Sequence, residues 1–406
     1  MTTKQYDFDE MIDRQNSNAM AVDGFRDYLF TGQNHLKFPV PDHEIIPMWV
    51  ADMGFATPPE IIEAIQDRLN KRIFGYTKIF DLQYFDAFSN WTGARYDWSP
   101  EKEHLVTSPG IIPALFELIK YICSSDEKVI IFTPSYAFFK HSADYNNIEL
   151  VTSGLIEKDG HYSIDFTDFK DKCADPKVTL CIFCHPHNPT GRVWTTRELQ
   201  EFGDICLNNH VMVISDEIHC DIQRKGIPHT PLAKLFPDSD QIITCMAPSK
   251  TFNLAGLLFA NIIIPNSLIR KKWHARHHIF ENPLSVAAAQ AAYEHGQDWL
   301  GQLTDYLDKN FKFTQNFLRD YLPEATFNIP HATYFGWINV GTYLPNEENL
   351  TLYFAQEAGV LLEGGNMFVA NADNWIRLNL ACPRVQLQKA LLKIAASCTT
   401  TTSMTP

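Results

Sequence analysis

The chain has 406 residues, 45% hydrophobic and 20% charged, a globular composition long enough for two or three packed units that excludes wholesale disorder and a fibrous repeat. Its 34 Lys and Arg against 48 Asp and Glu leave a formal charge of −14, which repels phosphate backbones and anionic lipid, so no nucleic acid partner is expected. The apolar run at 254–264 is broken by Asn261 and stopped by Pro265, short of the roughly 20 residues that span a bilayer, so no membrane is expected either.

The opening residues Met1-Thr2-Thr3-Lys4-Gln5-Tyr6-Asp7-Phe8-Asp9-Glu10 carry acids and aromatics where a signal peptide needs a basic end and an apolar stretch, which predicts a cytoplasmic protein. Nine cysteines, an odd number scattered over a long chain, are expected to be reduced. Short apolar runs rich in β-branched residues at 129–132, 180–183, 211–214, 242–245 and 262–264 predict strands buried on both faces. Helical patterns lie between them, such as 195–208, where Thr196 is placed as the cap and Leu199, Phe202 and Ile205 or Cys206 form the apolar stripe. Strands alternating with helices predict an α/β domain with a mostly parallel sheet.

Within that region Cys181-Ile182-Phe183-Cys184-His185 has the spacing of a c-type haem attachment, with His187 close behind. As part of a buried strand, both cysteines are expected in the core instead. His274, His277 and His278 fall on a predicted helix, but no Glu intervenes in the zincin pattern, and no metal is expected there. From residue 300 the pattern changes to an amphipathic helix at 300–321, strands at 334–340 and 375–380 and a closing helix at 385–396, which predicts a second, smaller α+β domain. The Thr- and Ser-rich end, 398–406, is expected to be disordered.

Ligands of open α/β sheets bind beyond the carboxyl ends of the strands, so the polar residues after each apolar run carry the functional signal. These are His185-Pro186-His187-Asn188-Pro189-Thr190-Gly191, Ser215-Asp216-Glu217-Ile218-His219 and Ala247-Pro248-Ser249-Lys250-Thr251-Phe252-Asn253, with Thr107-Ser108-Pro109-Gly110-Ile111-Ile112-Pro113-Ala114 opening an apolar helix upstream. Taken singly each has a bland alternative. Gly110 starts either an anion-binding helix or a plain turn; Asp216 is either functional or half of a structural salt bridge; Lys250 is either a solvated surface amine or one desolvated enough to attack a carbonyl.

Together they supply a lysine for a Schiff base, an acid for a pyridine nitrogen, and a glycine-opened helix with a serine for a phosphate, the parts of a pyridoxal phosphate site. Spacings of 28 residues from Asn188 to Asp216 and 34 from Asp216 to Lys250 place them on successive strand ends. At this point the chain resembles fold-type I pyridoxal phosphate enzymes of the aminotransferase class I/II superfamily, and within it the MalY/PatB group of cystathionine β-lyases. The narrower likeness is carried by Pro47-Met48-Trp49-Val50-Ala51-Asp52-Met53, Phe74-Gly75-Tyr76-Thr77, Pro109-Gly110-Ile111-Ile112-Pro113-Ala114-Leu115, Asn188-Pro189-Thr190-Gly191-Arg192-Val193-Trp194, Ser215-Asp216-Glu217-Ile218-His219, Pro248-Ser249-Lys250-Thr251-Phe252-Asn253 and Arg377-Leu378-Asn379-Leu380-Ala381-Cys382-Pro383-Arg384.

The resemblance implies a large α/β domain at 48–290 with a mostly parallel sheet of the seven-stranded type, a small α+β domain from 1–47 and 291–397, and a cytoplasmic homodimer with a shared active site. It implies that Lys250 holds the cofactor and moves the substrate's α-proton, that Asp216 keeps the pyridine nitrogen protonated, and that Tyr136 stacks on the ring. Asn188 and His219 would hydrogen-bond the phenolic oxygen, and Gly110, Ile111, Ile112 and Ser249 would hold the phosphate, which Tyr76 reaches from the neighbouring subunit. Arg377 would take the α-carboxylate of an amino acid substrate in a bidentate pair. Trp49, Tyr334 and Phe368 are expected either to line the substrate pocket or to be ordinary core.

The implied activity is β-elimination of a sulfur amino acid to a thiol, pyruvate and ammonia. An aminotransferase on the same scaffold, or a regulator that keeps the fold and binds another protein, are the alternatives. Two departures stand out: His185 where the group reads Asn, and Phe368-Val369-Ala370-Asn371-Ala372-Asp373-Asn374 where a glycine-rich stretch is usual before Arg377.

Overall fold

The computed structural model describes residues 4–33, 35–276 and 280–402. His277 and His278 lie outside the described residues, as do 403–406. Seven strands form the large sheet: β1 Leu105–Ser108, β2 Lys128–Thr133, β3 Glu149–Gly154, β4 Val178–Cys184, β5 Met212–Asp216, β6 Ile242–Met246 and β7 Ala260–Ile263. Their spatial order is β1-β7-β6-β5-β4-β2-β3, with β7 antiparallel to both neighbours and the other pairs parallel. The central strands are buried along nearly their whole length, as continuous apolar runs require when helices cover both faces.

Register aims the site. Cys184 at the end of β4 stands opposite Asp216 of β5, which stands opposite Cys245 of β6. The segments that follow, carrying Asn188, His219 and Lys250, therefore leave the sheet side by side at one edge. Cys181 and Cys184 are core residues of β4, and no disulfide joins the cysteines among the described residues.

Helix α1, Ile111–Ile122, follows β1 with Gly110 at its N-cap, and α2, Thr196–Asn208, follows β4. The cap of α2 is Thr195, not Thr196. A capping box needs its acid three residues after the cap, and Thr195 accepts the Glu198 N–H at 3.2 Å while the Glu198 carboxylate accepts the Thr195 N–H at 2.7 Å.

The smaller sheet is antiparallel, with β8 Thr326–Phe327, β9 Phe335–Asn339, β10 Glu363–Gly364 and β11 Trp375–Asn379 in the order β8-β9-β11-β10. Helix α3, Gln297–Tyr321, and the closing helix α4, Arg384–Thr402, belong to the same part of the chain. The expected disordered end is corrected for residues 398–402. Helix α4 continues through Thr402, because Cys398 is fully buried and anchors a turn that the Thr-rich composition alone would not hold.

Two short ladders join segments far apart in the chain. Ile46–Pro47 pairs in parallel with Val360–Leu361, and Phe368–Val369 pairs antiparallel with Ser135–Tyr136. The stretch that departs from the family pattern is thus hydrogen-bonded to the strand that presents Tyr136.

Candidate active site

At the strand ends lies a cavity of about 230 Å³ lined by Gly110, Ile111, Ile112, Tyr136, Asn188, Asp216, His219, Ser249 and Lys250, among others. The structure thus brings together nearly every residue that sequence assigned to the cofactor. The first turn of α1 has no side-chain cap, leaving backbone N–H groups turned to this space and suited to an anion. Gly191 closes the turn after Asn188 in the left-handed region at φ 66°, and a Cβ there would fall 2.4 Å from Pro330 and 2.8 Å from the Ala332 carbonyl.

Lys250 sits on the helical turn Pro248–Thr251 and donates from Nζ to the Ala51 carbonyl at 2.7 Å. Burial lowers its ammonium to about 8, with Asp52 and Asp216 opposing that shift and Arg377 adding to it. Asp216 is pushed up to about 7 by burial, against the Ile218 N–H it accepts and the charge of Lys250. An acid so placed gains most from a cation brought to it. His219 is held well below the usual imidazole range by burial, and its Nδ1 has no hydrogen-bond partner.

A second cavity of about 770 Å³ opens on the other side of Lys250, bordered by Tyr28, Trp49, Asp52, Tyr136, Glu363 and Arg377. Arg377 is 2% exposed and is held by Asn188 Oδ1 at 2.9 Å, the Trp49 carbonyl at 3.4 Å and a salt bridge to Glu363. The Phe335 ring lies 4.0 Å and the Phe368 ring 5.3 Å from its guanidinium carbon.

Not every predicted residue joins the cavities. Tyr334 is fully buried and lines neither; its hydroxyl donates to the Ala51 carbonyl at 2.9 Å, the acceptor that Lys250 also uses. Trp49 borders the outer cavity while its indole donates to the Ala21 carbonyl at 3.1 Å, so it is core and wall at once. Tyr76 is 91% exposed and lines neither cavity, with Phe280 beside it at 4.7 Å. His185 also lies outside both cavities, stacked on His229 at 4.4 Å with Nε2 on the Thr230 carbonyl, so that departure sits behind the site.

Two residues escaped the sequence reading. Glu363 occupies the carboxylate side of Arg377, and Asp221 gathers Trp91, Tyr96, Arg95 and Thr251 beneath the Lys250 turn. The motif asparagines Asn253 and Asn379 do the same for the segment after Trp49. Asn253 bonds Met53 and Phe55, and Asn379 donates to the Val50 and Asp52 carbonyls.

The sequence pattern of the aminotransferase class I and II family matches residues 44–394. The chain belongs to that family. It is similar to cystathionine beta-lyase PatB of Bacillus subtilis, 39% identical over 359 residues that cover 87% of this chain and 92% of that protein. Protein MalY of Escherichia coli is 28% identical over 95% of this chain and 97% of its own. Among solved structures, the pyridoxal phosphate-bound C-S lyase of Staphylococcus hominis, complexed with the inhibitor L-cycloserine, superposes with a TM-score of 0.94 at 49% identity, covering 97% of this chain and 98% of that one. The fold is the fold-type I pyridoxal phosphate fold, and the chain is a pyridoxal phosphate enzyme. The side chains present fit that group: a buried acid in no ion pair among the described residues, an unpartnered imidazole nitrogen, a desolvated amine and an uncapped helix start surround one cavity.

Proposed function

We propose that this enzyme is a carbon–sulfur β-lyase acting on cystathionine or a related cysteine conjugate, and that it releases a thiol, pyruvate and ammonia. The observation that carries the reading is the position of Lys250, in the wall common to the inner cavity and to the outer cavity that contains Arg377. The lyase names of PatB and of the Staphylococcus hominis protein support elimination over transamination.

Pyridoxal phosphate, when bound, supplies an electron sink for negative charge at the substrate's α-carbon. Lys250 Nζ binds the cofactor and, once released, moves the α-proton; its lowered proton affinity makes the neutral amine far more available near neutral pH than an ordinary lysine's. Asp216 holds a proton at the pyridine nitrogen, and Tyr136 bears on the ring face. Asn188 and His219 orient the phenolic edge, while Gly110, Ile111, Ile112 and Ser249 hold the phosphate. Arg377 fixes the α-carboxylate, and Trp49 bounds the space for the leaving group.

A homodimer is part of this reading. Ile73, Phe74, Tyr76, Phe80 and Phe280 are all more than half exposed, an apolar surface suited to a second copy, across which Tyr76 reaches the neighbouring subunit's phosphate. Cytoplasmic residence, supported by cysteines that form no disulfide among the described residues, completes it. The test gives the cofactor-loaded protein L-cystathionine without a keto acid and follows pyruvate, ammonia and free thiol. Equal amounts over many turnovers establish elimination. Product only after a keto acid is added makes it an aminotransferase, and no turnover in either condition favours a regulatory role.

A further inference from the structure

Arg377 is already paired before any substrate arrives. In the antiparallel ladder of β10 and β11, Glu363 stands directly opposite Arg377, and its carboxylate accepts from Nη2. Nη1 is held by Asn188, and the aromatic rings of Phe335 and Phe368 lie against the guanidinium, which is 2% exposed. Both charged residues border the outer cavity beside Lys250. An incoming amino acid therefore brings a second carboxylate to a cation that has one, in a place where two neighbouring anions are costly.

We propose that Glu363 sets the affinity of this enzyme for the substrate's α-carboxylate, releasing the Arg377 guanidinium only when it takes up a proton from solvent. This rests on the assignment of Arg377 as the carboxylate receiver. Geometry makes this route easier than swinging away. Glu363 is 8% exposed, so a freed carboxylate has little water to turn to, whereas a carboxylic acid can remain in place and donate its O–H to the bound carboxylate.

Burial raises the Glu363 carboxyl against the opposing pull of Arg377, the same direction that the route requires. The other charged or titratable groups that act on it are Lys250 from the Pro248–Thr251 turn, Tyr28 from the helix Phe25–Phe30 and Tyr136 from the strand Ser135–Tyr136. Lys250 favours the charged form; the tyrosines stay neutral, their own ionisation raised by burial. Because the proton is bound more tightly with substrate present, affinity is highest at low pH and declines as pH rises through the titration of Glu363 in the free enzyme, by up to about tenfold per unit.

The test uses the holoenzyme and 3-(methylthio)propionate, a thioether carboxylate with no amine to react with the cofactor. Its dissociation constant is measured by calorimetry between pH 6 and 9 in buffers of different ionisation enthalpy. Wild type should bind more weakly as pH rises and take up a proton on binding. Glu363→Gln should bind on the order of tenfold more tightly at pH 8, lose the pH slope and the proton uptake, and show a lower KM with kcat changed far less. A Glu363→Gln enzyme with wild-type affinity and slope overturns the proposal, as does wild-type binding without proton uptake, which needs no variant should the substitution fail to fold. Arg377→Ala separates the two claims: if it binds the probe as wild type does, the receiver is misassigned, whereas weakened binding there beside an unchanged Glu363→Gln removes only the role of Glu363.

Discussion

Asp221 is the buried acid on which the Lys250 turn rests, and replacing it tests that support directly. Its Oδ1 accepts from Trp91 Nε1 at 3.1 Å and from the Tyr96 hydroxyl, its Oδ2 accepts from the Thr251 hydroxyl at 2.8 Å, and Arg95 Nε lies 2.9 Å away. Asp221→Ala strands the Arg95 guanidinium, whose side chain is 18% exposed, and removes the acceptor from three donors. Breaking one side of a buried ion pair costs about 3–5 kcal/mol. At on the order of 2 °C per kcal/mol for a large domain, the melting temperature should fall by roughly 6–10 °C. Adding Arg95→Met should return part of the loss, since the stranded charge goes with it. Thr251 adjoins Lys250, so the variant should also release cofactor faster during dialysis, followed by loss of visible absorbance. A melting temperature within about 1 °C of wild type, or a double variant no more stable than the single one, refutes the assignment of Asp221 as the support.

The depressed proton affinity of Lys250 makes the rate at which apoenzyme takes up pyridoxal phosphate rise with pH and level off above about 8; stopped-flow absorbance that keeps rising toward the ordinary lysine value of 10.5 contradicts it. Arg377→Ala should weaken substrate capture by about 2–5 kcal/mol, roughly 30- to 4,000-fold in kcat/KM, and Arg377→Lys should recover only part of this because it cannot present a fork. An unchanged saturation curve for either rules out the role. Mixing Tyr76→Ala with Lys250→Ala after unfolding and refolding should regain activity, since a hybrid dimer has one site with neither lesion; no gain over the separate variants refutes a site shared through Tyr76.

Five strands of the large sheet were legible because they are buried along nearly their whole length, which leaves continuous β-branched runs such as those of β4 and β5, whereas β1 and β3 are only partly buried and gave no such run. The inner cavity was legible for the same reason: Asn188, Asp216, His219 and Lys250 are polar residues at the ends of those runs, where chemistry stands out against an apolar background. Glu363 lacked that contrast. It follows Leu361 and Leu362 on a two-residue strand, and only the pairing with β11 shows what its carboxylate meets. Asp221 reads in sequence as one more acid in a chain of negative charge, and its four partners lie on the helix Gln83–Tyr96 and the Lys250 turn, both remote from it in sequence. The helix end was misread because composition speaks for water-facing turns, while Cys398 is held by packing that has no local signature.

The short ladder between Ser135–Tyr136 and Phe368–Val369 has a consequence for how such enzymes diverge. Tyr136 and Phe368 are paired rungs, so drift in the loop before Arg377 is also drift in the seat of the aromatic ring. Natural variation at one edge selects for accommodation at the other, and the two should be inherited as a block. Chimeras that graft residues 368–374 from a relative ought to carry 133–138 with them; a graft of the loop alone would join a foreign edge to a native one and change two recognitions when only one was intended.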